Sequence, residues 1–150
     1  MVLPTEISTH TIELCIDSRL ENLDLLGAAV SGIAAALGFD ESERYHLELC
    51  AVEAVSNSIR HSYHGVPGHP VRVRIAVNAE RVEMRVADQG TPIPEERRLP
   101  PELDVDPADL DAISEGGRGI FLMHSLMDEV TFGGEDGWSF VVLTKRRRQG

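Results

Sequence analysis

The sequence is short of lysine, with Lys145 as the only one among its 150 residues. A P-loop nucleotide site needs a lysine in the pattern GxxxxGK[S/T], and a eukaryotic-type protein kinase needs one on a strand. Neither pattern surrounds Lys145, so both ways of holding phosphate groups are excluded. If this chain binds phosphates, it must do so with backbone amides, arginine side chains and a metal ion.

Cysteine is also scarce: the chain has Cys15 and Cys50 and no CxxC pair. Each lies in an apolar run, which predicts buried free thiols in a reducing compartment. No apolar run approaches the roughly 20 residues that span a bilayer. The first residues also lack the basic flank and apolar segment of a signal peptide. We therefore expect a cytoplasmic protein.

The composition is that of a soluble, acidic globular protein. Hydrophobic residues make up 42% of the chain, and 25 acidic residues against 14 basic ones give a net charge of -11. This charge disfavours nucleic acid as a partner. A chain of this length is most simply one domain, residues 1–150, with a core that needs no disulfide or metal.

Hydrophobic periodicity predicts the order β-α-α-β-β-lid-α-β-β. The expected elements are a strand over 10–16, helices over 19–37 and 41–62, strands near 71–77 and 82–86, a helix over 118–127, and a hairpin of 129–132 with 137–145. Asp17 or Ser18 is expected to cap the first helix, and Asp40 the second. The order predicts a two-layer α/β sandwich with helices on one face of a mixed, mostly antiparallel sheet. Trp138 and Phe140 are expected in its core.

Residues 91–116 differ from the rest of the chain. Between 91 and 115 lie five of the eight prolines and eight acidic residues. A segment this long, with little apolar periodicity, is typical of a functional lid or of disorder. We predict a lid with a short helix near 107–113, and expect residues 95–115 to be the most mobile part.

The second predicted helix carries Glu53, Asn57 and His61 at intervals of four residues, on one stripe. An amide oxygen can bind Mg²⁺, and a carboxylate one turn away can accept a proton from a hydroxyl or orient a water. Taken alone, the stripe is as compatible with an ordinary polar helix face.

Two further fragments could contact a nucleotide. Asp88-Gln89-Gly90 ends a strand, where a carboxylate could accept a hydrogen bond from an exocyclic amine and a glycine lets a ring approach. Gly116-Gly117-Arg118-Gly119 comes just before a helical run, where free N–H groups and an arginine suit polyphosphate. Their structural alternatives are a turn and a flexible cap.

Together the fragments resemble the motifs of the Bergerat-fold ATPases (GHKL superfamily). Glu53-x3-Asn57 is similar to the N box, Asp88-x-Gly90 to the G1 box and Gly117-x-Gly119 to the G2 box. The segment Glu53–Tyr63 also resembles the EAxxNAxxHxY of the serine-kinase anti-sigma factors of bacterial partner switching. Gly117–Met123 resembles their GRGLFLM. The likeness extends from about Ile12 to Thr144.

The resemblance implies a serine/threonine kinase that uses ATP with Mg²⁺ to phosphorylate a STAS-domain anti-sigma antagonist and that sequesters a sigma factor, as a homodimer. It implies Glu53 as the general base, Asn57 as the Mg²⁺ ligand and Asp88 as the adenine-reading residue. The other nucleotide contacts it implies are made by His61, Gly90, Gly117, Arg118, Gly119, Ile120 and Thr144, with Thr144 behind the adenine.

Two features depart from the family pattern. Thr91-Pro92 follows Gly90 where relatives continue DxGxG, which predicts a stiffer lid hinge. The first helix has an uncharged residue near Leu25, where some relatives carry a partner-facing arginine. Two other functions therefore stay open: a STAS-directed switch kinase that binds no sigma factor, and a non-catalytic binding module regulated by nucleotide.

Overall fold

The computed structural model describes residues 10–99 and 115–147. Its elements confirm the predicted order. They are β1 (His10–Asp17), α1 (Asn22–Ala36), α2 (Glu41–Asn57) with a π-helical turn (Ser58–Ser62), β2 (Pro70–Val77), β3 (Arg81–Asp88), a 3₁₀ turn (Glu95–Arg97), α3 (Glu115–Leu126), β4 (Glu129–Glu135) and β5 (Trp138–Arg146).

The five strands form one sheet in the order β1-β2-β3-β5-β4. Each neighbouring pair is antiparallel, so the described residues contain no parallel pair. The prediction of a mostly antiparallel sheet is therefore confirmed. In this order β3 lies in the middle of the sheet, and its last residue, Asp88, pairs with Ser139 of β5.

One face of the sheet is covered by the helices. Alternate residues of β2 and β3 are buried there, including Val73 and Met84, whereas their neighbours Arg72, Arg74 and Arg85 are exposed. The core joins these inward side chains to residues of all three helices: Leu26, Val30, Leu47, Ala51, Val55, Ile59, Ile120 and Met123. Because a strand alternates its side chains between faces, the exposed arginines lie on the opposite face, which no helix among residues 10–99 and 115–147 covers.

Helix α1 begins later than predicted, at Asn22 rather than near residue 19. Ser18 does not cap it. Its buried hydroxyl donates to the carbonyl of Val66 at 2.7 Å and accepts from the N–H of His69 at 3.0 Å. Asp17 is also engaged elsewhere, since its carboxylate pairs with Arg19 at 3.0 Å. Contacts with a loop some 50 residues away therefore displaced the local capping preference.

Helix α2 follows its sequence pattern closely. Asp40 caps it by accepting a hydrogen bond from the N–H of Glu43 at 2.7 Å. The predicted apolar positions are all buried: Leu47, Cys50, Ala51, Ala54, Val55 and Ile59. The helix then widens into the π-turn, in which the N–H of Tyr63 donates to the carbonyl of Ser58. Such turns often occur at functional sites.

Two predictions about burial were wrong. Cys15 is exposed, because it lies on the open face of the sheet opposite Arg72, while Cys50 is buried as expected. Trp138 and Phe140 are only half-buried and lie outside the core, with the guanidinium groups of Arg72 and Arg85 stacked 4.4 and 4.2 Å from their ring centres.

The beginning of the predicted lid, residues 91–99, is described. It is held by Ile93, which packs against the core, and by Arg98, whose Nε donates to the Ile93 carbonyl at 3.0 Å. The rest of the lid, including the helix predicted near 107–113, lies outside the described residues. Among residues 10–99 and 115–147, no helix is long and apolar enough to cross a membrane.

Candidate functional site

Helices α2 and α3 bring two of the predicted fragments into contact. A methyl group placed on Gly119 would lie 2.9 Å from Oε2 of Glu53 and 3.3 Å from Nδ2 of Asn57. Ordinary side-chain carbons do not approach neighbours that closely, so a larger residue here would push the end of the Glu53 side chain aside. The glycine of the third fragment therefore lies directly against the carboxylate and the amide of the first.

The Glu53 carboxyl lies half-buried between positive charges. Burial raises the pKa of Glu53 above its usual value, and the charges of Arg118 and Arg60 counteract part of that rise. Arg118 has a buried Nε with no hydrogen-bond partner among the described residues. A buried donor without a partner costs stability, so this atom is suited to meet an anionic ligand.

The glycine-rich fragment lies inside α3 rather than before it, which corrects the predicted start at residue 118. Gly116, Gly117 and Arg118 belong to the first turn of a helix that runs Glu115–Leu126. The N–H groups of the first four residues of a helix have no partner within it. Gly116, Gly117 and Arg118 therefore lie in the first turn at the positive helix end, whereas Gly119 is the fifth residue and its N–H lies within the helix.

Asp88 is buried at the end of β3, and both of its carboxylate oxygens accept hydrogen bonds. Oδ2 accepts from the hydroxyl of Ser58 at 2.7 Å, and Oδ1 accepts from the N–H of Gly90 at 3.0 Å. These contacts fix the carboxylate against the π-turn of α2. The second fragment thus contacts the helix that carries the first.

Gly90 and Tyr63 hold the chain after β3 against the π-turn. A methyl group on Gly90 would collide with the backbone carbonyl of Ser62, which accepts from the N–H of Thr91 at 2.9 Å. The Tyr63 hydroxyl accepts from the N–H of Gln89 at 2.7 Å and donates to the carbonyl of Pro70 at 2.6 Å. Burial is the main cause that raises the Tyr63 pKa above 10.

Two adjoining cavities connect these groups. The first extends from Asp88 toward α3 and is lined by Ala54, Asn57, Ser58, Asp88, Ile93, Ile120, Met123, Phe132, Ser139 and Val141. The second continues from Asn57 toward the solvent and is lined by Asn57, Arg60, His61, His64, Thr91, Ile93, Arg97 and Ile120. Asn57 and Ile120 border both, so the predicted residues Asn57, His61, Asp88 and Ile120 line one continuous groove.

Thr144 does not belong to this groove, which corrects the position expected behind the adenine. It pairs with Glu83, whereas the β5 residue opposite Asp88 is Ser139. Ser139 and Thr144 are five residues apart, roughly 16 Å along a strand, and an odd separation puts them on opposite faces of the sheet. Of these two residues, Ser139 lines the groove opposite Asp88.

Several lining residues escaped the sequence analysis. Ser58, Ile93 and Ser139 belong to no predicted charge or glycine pattern, and only their contacts reveal them. Tyr63 is the tyrosine of the EAxxNAxxHxY-like segment, and its hydrogen bond with Gln89 lies beside the cavities rather than in their lining. A faint signal existed for Ser58, because this chain has serine where the EAxxNAxxHxY segment has alanine. Ile93 lies between two prolines in the predicted lid, where its apolar character predicted no particular contact.

Comparison with known proteins agrees with this geometry. Residues 16–145 match the family of the histidine kinase-like ATPase domain. The chain belongs to this family. The serine-protein kinase RsbW of Bacillus velezensis is 32% identical over 142 residues, which cover 92% of this chain and 86% of that protein. The RsbW of Listeria monocytogenes is 32% identical over 138 residues, covering 89% and 85%.

These relatives assign the chain to the serine-protein kinase branch of the family and confirm the resemblance found in its sequence. A solved structure of the RsbU and RsbW domains of Rv1364c from Mycobacterium tuberculosis matches 92% of this chain with a TM-score of 0.63. At 18% identity that match supports the fold alone, and this chain spans 32% of that longer one.

Proposed function

We propose that this protein is an ATP-dependent serine/threonine kinase and anti-sigma factor. It phosphorylates a STAS-domain anti-sigma antagonist and sequesters a sigma factor. The observation that carries the proposal is the groove itself. At its inner end the Asp88 carboxylate can accept a hydrogen bond from an amine. Next to Asn57, which lines the groove, the half-buried base Glu53 lies against the first turns of α3.

The residues present fit a bound adenine nucleotide. At the inner end, Asp88 would accept a hydrogen bond from the exocyclic amine, and Gly90 keeps the backbone close to the ring. Ile93, Ile120 and Val141 supply apolar contact for the base. In this proposal the chain, residues 1–150, forms one nucleotide-binding domain. Residues 91–116 are its lid.

The phosphates would bind where α2 meets α3. Gly117 and Arg118 offer N–H groups of the first helical turn, Gly119 keeps the backbone close, and the Arg118 Nε, without a partner among the described residues, would gain one there. His61 lines the outer cavity next to Asn57 and would border the same phosphates.

Asn57 is the residue suited to hold Mg²⁺. It is buried, lines both cavities and has its amide within reach of α3. Mg²⁺ often binds through one or two protein oxygens, phosphate oxygens and waters, so one amide oxygen is a sufficient protein contribution. When bound, the ion would neutralise charge on the phosphates.

Glu53 is proposed to act as the general base. It would accept the proton of the partner's serine hydroxyl as that oxygen bonds to the γ-phosphorus and ADP leaves. Its raised pKa makes the carboxylate a stronger base than an exposed one, while Arg118 and Arg60 favour its charged form. The half-buried position also shields the reacting groups from water.

The partners and assembly are part of the same proposal. The cytoplasmic protein would bind the antagonist and a sigma factor alternately, with no role for nucleic acid or a membrane. We propose a homodimer, supported by the open sheet face with its half-exposed Trp138 and Phe140. Sedimentation at several concentrations tests the dimer, because a monomer at all of them contradicts it.

The decisive experiment combines Glu53→Ala with partners taken from the same cell. The wild type should transfer phosphate from ATP to the antagonist, and Glu53→Ala should bind ATP and transfer none. Normal transfer by Glu53→Ala would disprove the catalytic role. Transfer without sigma-factor binding would favour a switch kinase, and ATP binding without any transfer would favour a regulatory module.

A further inference from the structure

Ser58 forms a hydrogen bond with Asp88, a residue distant from it in the sequence. The residue is buried on the π-turn, lines the inner cavity and donates its hydroxyl proton to Oδ2 of Asp88 at 2.7 Å. The two residues are 30 positions apart in the chain. This chain has serine where the EAxxNAxxHxY segment that it resembles has alanine.

The contact determines which hydrogen bonds the inner cavity can offer. A hydroxyl has one proton. Because the Ser58 hydroxyl uses that proton in its hydrogen bond to Asp88, its oxygen can only accept hydrogen bonds from a ligand. A carboxylate oxygen is likewise only an acceptor. Asp88 and Ser58 therefore form a paired acceptor edge at the end of the groove.

An acceptor edge discriminates between purines at position 6. The 6-amino group of adenine brings two N–H donors to it. The 6-oxo group of hypoxanthine or guanine brings an acceptor and would meet lone pairs. To receive it, Ser58 would have to turn its proton away from Asp88, which would leave a buried carboxylate oxygen without that donor.

We propose that Ser58 is a positioning residue that orients the Asp88 carboxylate. In this way it favours 6-aminopurine nucleotides over 6-oxopurine nucleotides. This inference rests on the proposed nucleotide function of the groove. It extends that function from the carboxylate to the hydroxyl that orients it. Because Gly90 N–H occupies the other oxygen, Ser58 controls the one remaining rotation of the Asp88 carboxylate.

The test measures the dissociation constants of ADP and IDP, which differ in the 6-amino and 6-oxo groups. Titration calorimetry is run on the wild type, Ser58→Ala and the matched control Ser56→Ala. Ser56 lies on the same helix and accepts from Nε of Arg60 at 3.1 Å, away from Asp88. The thermal midpoint of Ser58→Ala verifies that this variant folds.

The wild type should prefer ADP to IDP. In Ser58→Ala the preference should fall by about three- to tenfold, the value of one net hydrogen bond, because the freed carboxylate can turn aside. Ser56→Ala should keep the wild-type preference. A merely structural role would weaken both nucleotides equally and leave the ratio unchanged.

Each other outcome overturns a specific statement. If wild type prefers ADP and Ser58→Ala keeps the same ratio, the role of Ser58 is wrong while the adenine site stands. If Ser56→Ala lowers the ratio as much as Ser58→Ala, the selection does not come from the contact with Asp88. If the wild type binds neither nucleotide, the proposed function and this inference both fail.

Discussion

The two ends of the groove differ in how far folding alone satisfies their polar groups. At the inner end, Asp88 accepts from Ser58 and Gly90, and Tyr63 is bonded in both directions. At the outer end we include the α2–α3 contact next to Asn57, where Arg118 keeps a buried Nε without a partner among the described residues and Glu53 has a raised pKa. One end is complete without a ligand, and the other is not.

This difference predicts where mutations act. Substitutions at the inner end should lower the free energy of unfolding, because its hydrogen bonds form when the protein folds. Changes at the incomplete end should be felt in binding and phosphate transfer, with little loss of stability or even a gain. The following predictions test that division, beginning with the largest expected effect.

Glu53→Gln should lower phosphate transfer by about 10²- to 10⁴-fold, since the general base is lost. It should also stabilise the fold at neutral pH. Because burial raises the pKa of Glu53, the folded protein prefers the protonated form, so the ionised carboxylate costs stability. The amide is always neutral and avoids that cost.

The sign of this effect can be checked by thermal melts at several pH values. The advantage of Glu53→Gln should be greatest above the folded pKa and vanish as the pH falls below about 4.5, where the glutamate is protonated in both states. Glu48→Gln on the same helix is the control. Equal melting of Glu53→Gln and wild type at neutral pH would contradict the comparison.

Arg118→Ala should weaken ATP binding by about ten- to a hundredfold, the range of a hydrogen bond to a charged group. It also removes a charge that lowers the Glu53 pKa, so that pKa should rise. As the pH falls, the remaining transfer should therefore be lost at a higher pH than in wild type. Calorimetry and a pH profile measure both. Arg85→Ala, on the open sheet face, should change neither affinity nor profile.

Two glycine substitutions separate the ends most directly. Gly90→Ala should cost about 1–3 kcal/mol of unfolding free energy, because its methyl group meets a backbone carbonyl. Gly119→Ala meets the end of the Glu53 side chain, which can turn aside, so stability should hold while transfer falls. Urea unfolding and a transfer assay compare them, and the opposite pattern would contradict the division.

Tyr63→Phe should give the smallest effect, a loss of about 1–2 kcal/mol in unfolding free energy as the N–H of Gln89 and the carbonyl of Pro70 lose their partner. Because the Tyr63 pKa is raised above 10, its hydroxyl stays protonated between about pH 6 and 9. The loss should therefore be the same across that range. Tyr45→Phe, which is 59% exposed, is the control. Denaturant titration measures both, and a loss no larger than the control's would contradict the network.

Most of the fold could be predicted because its signals are local. The alternation of β2 and β3, the Asp40 cap and the apolar face of α2 depend on residues within a few positions of each other. The start of α1 was missed because Ser18 bonds to a loop 48 residues away instead of capping. The burial of Cys15, Trp138 and Phe140 was predicted wrongly, because alternation does not tell which set of side chains faces the helices.

The site divides in the same way. Its sequence determined the chemical groups, which are Glu53 and Asn57 one helical turn apart, the turn at Asp88–Gly90 and the glycines around Arg118. The tertiary structure decided how they meet: Gly119 against Glu53, Ser58 on Asp88, and Ser139 rather than Thr144 opposite Asp88. Strand register and helix packing are settled by the whole core at once, and no local pattern contains that information.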